Sequence, residues 1–330
     1  MTRSPRPNGL ERLSFRAALD HLRSVYAQED AGHVVTAYDE ARRRSFAFRA
    51  VTAVLERIYP VRAFLQLAAD LFDRAIGEDG LHAGCRRILD TLAFDWEGVT
   101  PEEGIRILQS APVIFYGNHP SLLTPFLVAA CVDREDLAFL STSYVRRLLP
   151  HFRKYCHRLE VSLTESMKEW RRGGVRRVLA YRLLSLLHAV PSPSEAKEIN
   201  RRAIHDAVES LRVGGSIMIV PSGGGKHDRV WYPGIGMIAR DILANPGRED
   251  VWVAPIREEH CSNKRIYATL LRGPLARLRR RRDERHPVRI LLGEPSLLRE
   301  VVGESPTVQA AIDGLRDHYD HVCWREAFPS

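Results

Sequence analysis

A histidine and a run of three glycines, each just after a short apolar stretch, are the residues best suited to chemistry. The first lies in Gly117-Asn118-His119-Pro120-Ser121-Leu122-Leu123-Thr124-Pro125, between the apolar stretches 113–116 and 126–132. A histidine flanked by small polar residues can serve as general base or acid, because its ring titrates near neutrality. It could equally cap a helix or make a structural hydrogen bond. The second is Pro221-Ser222-Gly223-Gly224-Gly225-Lys226-His227-Asp228-Arg229, after the apolar stretch 217–220. Glycines let a backbone approach a ligand and aim amides at an anion. Ser222, Lys226 and Arg229 add donors and charge. No Ser or Thr follows Lys226, so this is not a Walker A loop, and it is not a dinucleotide fingerprint. A plain glycine turn is the alternative.

Positioning such residues calls for strands that end in loops. From residue 110 onward, short apolar runs alternate with amphipathic segments. Strands are expected at 113–116, 137–140, 159–163, 216–220, 251–255, 266–271 and 288–292. Helices are expected at 124–132, 144–155, 170–189, 194–213, 235–244 and 306–323, with Ser305 capping the last. This alternation specifies an α/β domain with a largely parallel mixed sheet flanked by helices. In such sheets, ligands bind in the loops beyond the strands' carboxyl ends.

Upstream, helical periodicity runs from 10 to 94. Phe15, Leu19, Leu22 and Tyr26 share one helix face. Phe46, Phe48, Val51, Val54, Leu55 and Ile58 make a second apolar face, and Phe64, Leu67, Ala68, Leu71 and Phe72 a third. These stripes predict an N-terminal helical bundle. Thr100-Pro101-Glu102-Glu103 reads as a capping box that opens a helix. The expected division is a bundle over 1–108 and an α/β domain over 109–330.

The chain has 330 residues, 45% of them hydrophobic, which excludes a disordered or collagen-like chain. Five cysteines without a CxxC pair read as reduced thiols rather than a disulfide framework. No apolar stretch approaches the ~18 residues of a membrane span, and residues 1–9 lack the apolar centre of a signal peptide. A cytoplasmic protein is expected. Basic residues number 49 against 41 acidic, and only five of the 49 are lysine, so arginine suited to bidentate anion contacts dominates. The densest basic stretch runs from Arg277 to Arg285. It is either a solvated face or a dock for an anionic partner: a membrane surface, an acidic carrier protein or coenzyme A phosphates. Aromatic residues do not interleave with it, which argues against nucleic acid. His318, His321 and Cys323, like His151, Cys156 and His157, lack further ligands, so no metal site is expected. His260 and Cys261 could line the site.

The order strand–Asn-His-x-Ser, then strand–Pro-x-Gly about 100 residues later, then strand–Val-x-Pro resembles the glycerolipid acyltransferase superfamily. That superfamily shares an Asn-His-x4-Asp motif and a later Pro-Glu-Gly motif. Asn118, His119, Ser121 and Pro125 match the first, and Val253-Ala254-Pro255-Ile256 looks like the fourth block. Pro221-Ser222-Gly223-Gly224 is similar to the version in soluble, chloroplast-type glycerol-3-phosphate acyltransferases. Lys226, Asp228-Arg229 and Trp231-Tyr232-Pro233 correspond approximately, and that subgroup also has an N-terminal helical bundle.

The resemblance implies transfer of a fatty acyl group from an acyl-CoA or acyl-carrier-protein thioester to a hydroxyl of glycerol 3-phosphate or a related polar acceptor. No resident cofactor is implied. His119 would be the general base, supported by Asn118, Ser121 and Thr124. Ser222, Gly223, Gly224, Gly225, Lys226 and Arg229 would bind an oxyanion or the acceptor phosphate. Arg146 and Arg147 sit where an acceptor-binding block is expected. A lipid product implies work at the inner face of the cell membrane. The family's Asp position holds Thr124, which can fix a histidine tautomer but supplies no charge. The implied alternatives are a carboxylate reaching His119 from elsewhere, an unusual acceptor, or a non-catalytic lipid or thioester binder.

Overall fold

The computed structural model describes residues 12–28, 30–57, 60–92, 95–159, 191–222, 231–247, 249–263, 265–266 and 286–326. The sheet runs in the order β1-β7-β6-β2-β5-β3-β4. Its strands are β1 (Trp96–Val99), β2 (Val113–Gly117), β3 (Leu137–Thr142), β4 (Cys156–Leu159), β5 (Ser216–Ile219), β6 (Trp252–Glu259) and β7 (Val288–Leu292). A two-residue β8 (Ser296–Leu297) pairs with β6. Strands β4, β3, β5, β2 and β6 are parallel neighbours, so their carboxyl ends share one edge. β7 runs antiparallel to β6 and parallel to β1.

Helices cover both faces. On one side lie α1 (Phe15–Gln28), α2 (Ala31–Arg44), α3 (Phe46–Leu55), α4 (Val61–Leu67), α5 (Arg74–Asp79), α6 (Leu81–Thr91), α7 (Ile105–Ser110) and α8 (Thr124–Cys131). α9 (Ser143–Leu148) directly follows β3. On the other side lie α10 (Pro193–Arg212), α11 (Gly234–Ala244) and α13 (Val308–Asp320), with the short α12 (Leu298–Val302). Every residue of β2 is buried, and its alternation divides the core. Val113 and Phe115 join the N-terminal helices and α8, whereas Ile114 and Tyr116 join α10, α11 and α13. The N-terminal helices therefore share one continuous core with a face of the sheet.

Several boundaries differ from expectation. Trp96–Val99 pairs with β7, so a sheet-edge strand follows the helical stretch 10–94 inside the span 1–108 assigned to the bundle. Thr100 caps nothing: α7 starts at Ile105 behind Gly104, because residues 102–104 form a turn. The helix expected over 144–155 breaks after Leu148, since Pro150 cannot continue it, and resumes as a 3-10 turn at Phe152–Tyr155. Thr307, not Ser305, caps α13, accepting from the Ala310 amide. Ile266 is helical, not the start of a strand, and the rest of that stretch lies outside the described residues. So do the helix expected at 170–189 and the run from Arg277 to Arg285. β4 ends at Leu159, where the strand expected over 159–163 only begins, and 160–163 are not described. The apolar face of α3 does not point inward: Phe48 is buried, but Phe46, Val51 and Val54 are exposed.

Candidate active site

The His119 loop leaves β2 at the edge where the parallel strands end. Gly117 closes β2 against β6, and a Cβ there would meet the Ile256 carbonyl oxygen at 1.8 Å. Only glycine lets the two strands stay paired at this level. Asn118 then extends the pairing with its side chain. Its Nδ2 donates to the Glu258 carbonyl at 3.2 Å, and its Oδ1 accepts from the Glu258 amide at 2.8 Å. The Gly117–Ile256 register therefore brings Glu258 level with the His119 loop.

The Glu258 carboxyl is buried, 3% exposed, beneath that loop. Ser121 Oγ donates to its Oε1, and Thr124 Oγ1 lies in hydrogen-bond contact with its Oε2. Ser121 Oγ also accepts from the Leu123 amide at 3.1 Å, while Asn263 Oδ1 accepts from the Leu122 amide at 2.8 Å. Thr124 Oγ1 additionally lies 3.0 Å from the Ser121 carbonyl oxygen, to which it can donate. A threonine hydroxyl has one proton, and a carbonyl has none to give. The Thr124 hydroxyl therefore donates to the Glu258 carboxylate or to the Ser121 carbonyl, one at a time. Burial raises the Glu258 carboxyl above its ordinary value, with the Ser121, Thr124 and Cys261 side chains opposing.

His119 is partly exposed as a residue, but its Nδ1 is buried and has no hydrogen-bond partner among the described residues. Burial lowers its pKa from 6.5 to about 4, so the ring is neutral across the physiological range. Ser222 Oγ, in the loop after the neighbouring strand β5, is likewise buried without a described partner. The ends of that loop are pinned by a 2.8 Å bond from the Tyr232 amide to the Pro221 carbonyl. Trp231 is buried with its ring edge-on to Tyr116 at 5.8 Å. Two unsatisfied buried side-chain atoms thus sit in loops beyond adjacent parallel strands, where a ligand could satisfy them.

Comparison with known proteins is sparse. No family profile and no curated protein matches the sequence. Among solved structures, the chain is similar to the 1-acyl-sn-glycerophosphate (LPA) acyltransferase PlsC from Thermotoga maritima. That match has a TM-score of 0.42 at 15% identity, covering 83% of this chain and 93% of the other.

Of the residues expected at the site, Asn118, His119, Ser121 and Thr124 come together, with Ser222 beyond the adjacent strand. Thr124 does not fix the His119 tautomer: its hydroxyl turns to Ser121 and Glu258. Arg146 sits on α9 near Cys156 and His157, and its charge helps burial hold His157 below its ordinary value. Gly223, Gly224, Gly225, Lys226 and Arg229 lie outside the described residues. Cys261 packs beside Glu258, and its thiol is pushed up to about 12 by burial and that carboxyl, which rules out a resting thiolate. His260 turns away with φ 59° and stacks on His286 at 5.0 Å. His318 is engaged by Tyr116 Oη at 2.7 Å and Ser296 Oγ at 3.1 Å.

Glu258 is the member that sequence reasoning missed. The signal was register: once 253–256 is read as the strand beside 113–117, the residue two beyond Ile256 is level with the residue two beyond Gly117.

Proposed function

We propose that this protein is an acyltransferase that moves a fatty acyl group from a coenzyme A or carrier-protein thioester to a hydroxyl of glycerol 3-phosphate or a related polar acceptor. The observation that carries the reading is a neutral, partly exposed His119 with a buried unpartnered Nδ1, held at the carboxyl edge of a parallel sheet. The acceptor oxygen attacks the thioester carbonyl carbon while the imidazole takes its proton. The carbon–sulfur bond then breaks, and the thiolate leaves and is protonated by the imidazolium. A base with depressed pKa is unprotonated at every working pH, but it drives proton transfer weakly.

Ser121, Thr124, Asn118 and Asn263 fix the loop that carries the base, and Glu258 is the acid strut beneath it. Ser222, the glycines at 223–225, Lys226 and Arg229 would stabilise the oxyanion or hold the acceptor's phosphate. Arg146 would bind the acceptor from the next strand's end. The acidic carrier protein, or an anionic membrane surface, would meet the stretch from Arg277 to Arg285. The setting is the cytoplasm, at the inner face of the cell membrane.

The test is His119→Ala assayed with several acceptors and both donor types, reading acyl adducts by intact mass. Loss of about 10²–10⁴-fold in rate is expected, and unchanged turnover contradicts the proposal. One observation favours a second reading, a lipid or thioester binder without turnover: among the described residues no charged group pairs with His119, and Thr124 stands at the family's Asp position. Wild type inactive on every acceptor, with Thr124→Asp gaining activity, would establish that reading.

A further inference from the structure

The helix α3 is amphipathic the wrong way round for a helix meeting water. Its inner side buries Phe48 and Thr52, and the cap Ser45 is buried with them. The Thr52 hydroxyl donates inside its own helix, to the Phe48 carbonyl at 2.8 Å. Its outer side carries Phe46 at 77% exposure, Val54 at 59% and Val51 at 45%. Ala47, Ala50 and Ala53 are exposed among them. At 100° per residue these six positions fall on one continuous arc, with Arg49 at its edge. The Arg49 guanidinium lies 5.5 Å from the Phe46 ring centre, placing a cation at the rim of the apolar strip.

Beside this strip is a cleft of about 590 Å³ lined by Arg42, Arg43, Arg49, Arg62 and Asp39. Asp39 is its only acid, and Arg62 engages it through Nε at 2.8 Å and Nη2 at 2.7 Å. Arg42 lies over the Tyr38 ring, and Arg44, with the Arg43 charge helping behind it, holds the Glu40 carboxyl below its ordinary value. Arg42, Arg43 and Arg49 form no described salt bridge. Glu56, at the end of α3, is turned inward, accepting from Tyr38 Oη at 2.8 Å and the Arg62 amide at 2.9 Å. The charge beside the strip is therefore positive.

We propose that α3 and the arginine cleft dock the protein on an anionic lipid surface. Phe46, Val51 and Val54 enter the boundary between headgroups and acyl chains, and Arg42, Arg43 and Arg49 meet lipid phosphates. A purely apolar protein partner would leave the Arg42, Arg43 and Arg49 guanidiniums without counter-charge beside the strip. An anionic bilayer supplies both the apolar phase and the counter-charge in one arrangement. None of these residues belongs to the acyl-transfer site, so the docking stands or falls without that activity.

The experiment is co-sedimentation of the full chain with phosphatidylcholine vesicles, with and without phosphatidylglycerol, across a salt series. Wild type should bind the anionic vesicles and release with salt. Phe46→Ser/Val51→Ser/Val54→Ser should lose most of that binding while keeping its thermal midpoint. Arg43→Gln/Arg49→Gln should lose about five-fold per arginine and flatten the salt dependence. Three results would overturn the proposal: no preference of wild type for anionic vesicles, undiminished binding by the triple-serine chain, or a wild-type dimer that the triple-serine change dissolves. The last would make the strip a contact between copies of the chain.

Discussion

α8 and α3 are both written almost wholly in apolar residues, yet they lie in opposite places. In α8, Thr124, Phe126, Leu127, Val128, Ala129 and Ala130 are all buried. In α3 only Phe48 and Thr52 are. α8 is enclosed because it lies in the core shared by α6 and β2, where the Phe72 and Phe126 rings meet at 5.0 Å. α3 packs on α1 and α2 from one side, and its other side is exposed with no described element packed against it. Apolar content tells that a helix wants cover, not what covers it. For α8 the cover is the protein, and this buys a dry floor for the site. For α3 no element among the described residues supplies the cover.

The contrast makes ordered expectations. Leu127→Ala should be the most damaging change, costing about 2–5 kcal/mol of stability by urea melting, because a rigid core leaves a cavity. A loss near zero would mean that α8 is not packed as described. Next is Thr124→Val, which keeps the shape but removes the hydroxyl that contacts the Glu258 carboxyl. Leaving that buried acid short of a partner should cost about 1–3 kcal/mol. At the bottom, Val54→Ala on the open side of α3 should shift stability by no more than about 0.5 kcal/mol. A core-sized loss there would show that the face is covered within the protein.

The two buried titrating groups sharpen the comparison through pH. Glu258 keeps its proton to higher pH in the folded chain than in the unfolded one, so the folded state binds more protons above the ordinary carboxyl value of 4.5. Its contribution to stability therefore falls as pH rises above that value. His119 behaves oppositely in sign. It stays neutral when folded down to about 4, whereas the unfolded ring gains a proton near 6.5, so stability falls as pH drops between them. Glu258→Gln, whose amide mimics a neutral acid, should fold normally and lose the alkaline slope. Denaturant melts from pH 5 to 8 check this, and a retained slope would show that Glu258 is not its source.

How much of this was legible in the sequence follows from how local each signal is. β2, β5 and β7 are short, mostly apolar runs, and their burial on both faces makes such runs nearly continuous. β1 was not legible, because Trp96–Val99 is a four-residue edge strand whose middle residues, Glu97 and Gly98, are exposed and give no apolar signal. The inward direction of α3 was misread because periodicity reports that apolar residues share a face, not which way the face turns. Asn118, His119, Ser121 and Thr124 were legible as one loop. Their acid partner was not, since Glu258 lies 137 residues from Ser121 and is joined to it only by strand register.

The central claim is that the site holds a neutral imidazole with no charged partner among the described residues. Its most direct measurement is the ¹⁵N titration of the His119 ring, assigned by difference against His119→Gln and repeated in Thr124→Asp. The wild-type ring should stay neutral until pH approaches about 4, and the introduced carboxylate should move its midpoint upward. A wild-type midpoint at or above the ordinary 6.5 would contradict the account, because it would place a charged partner on His119.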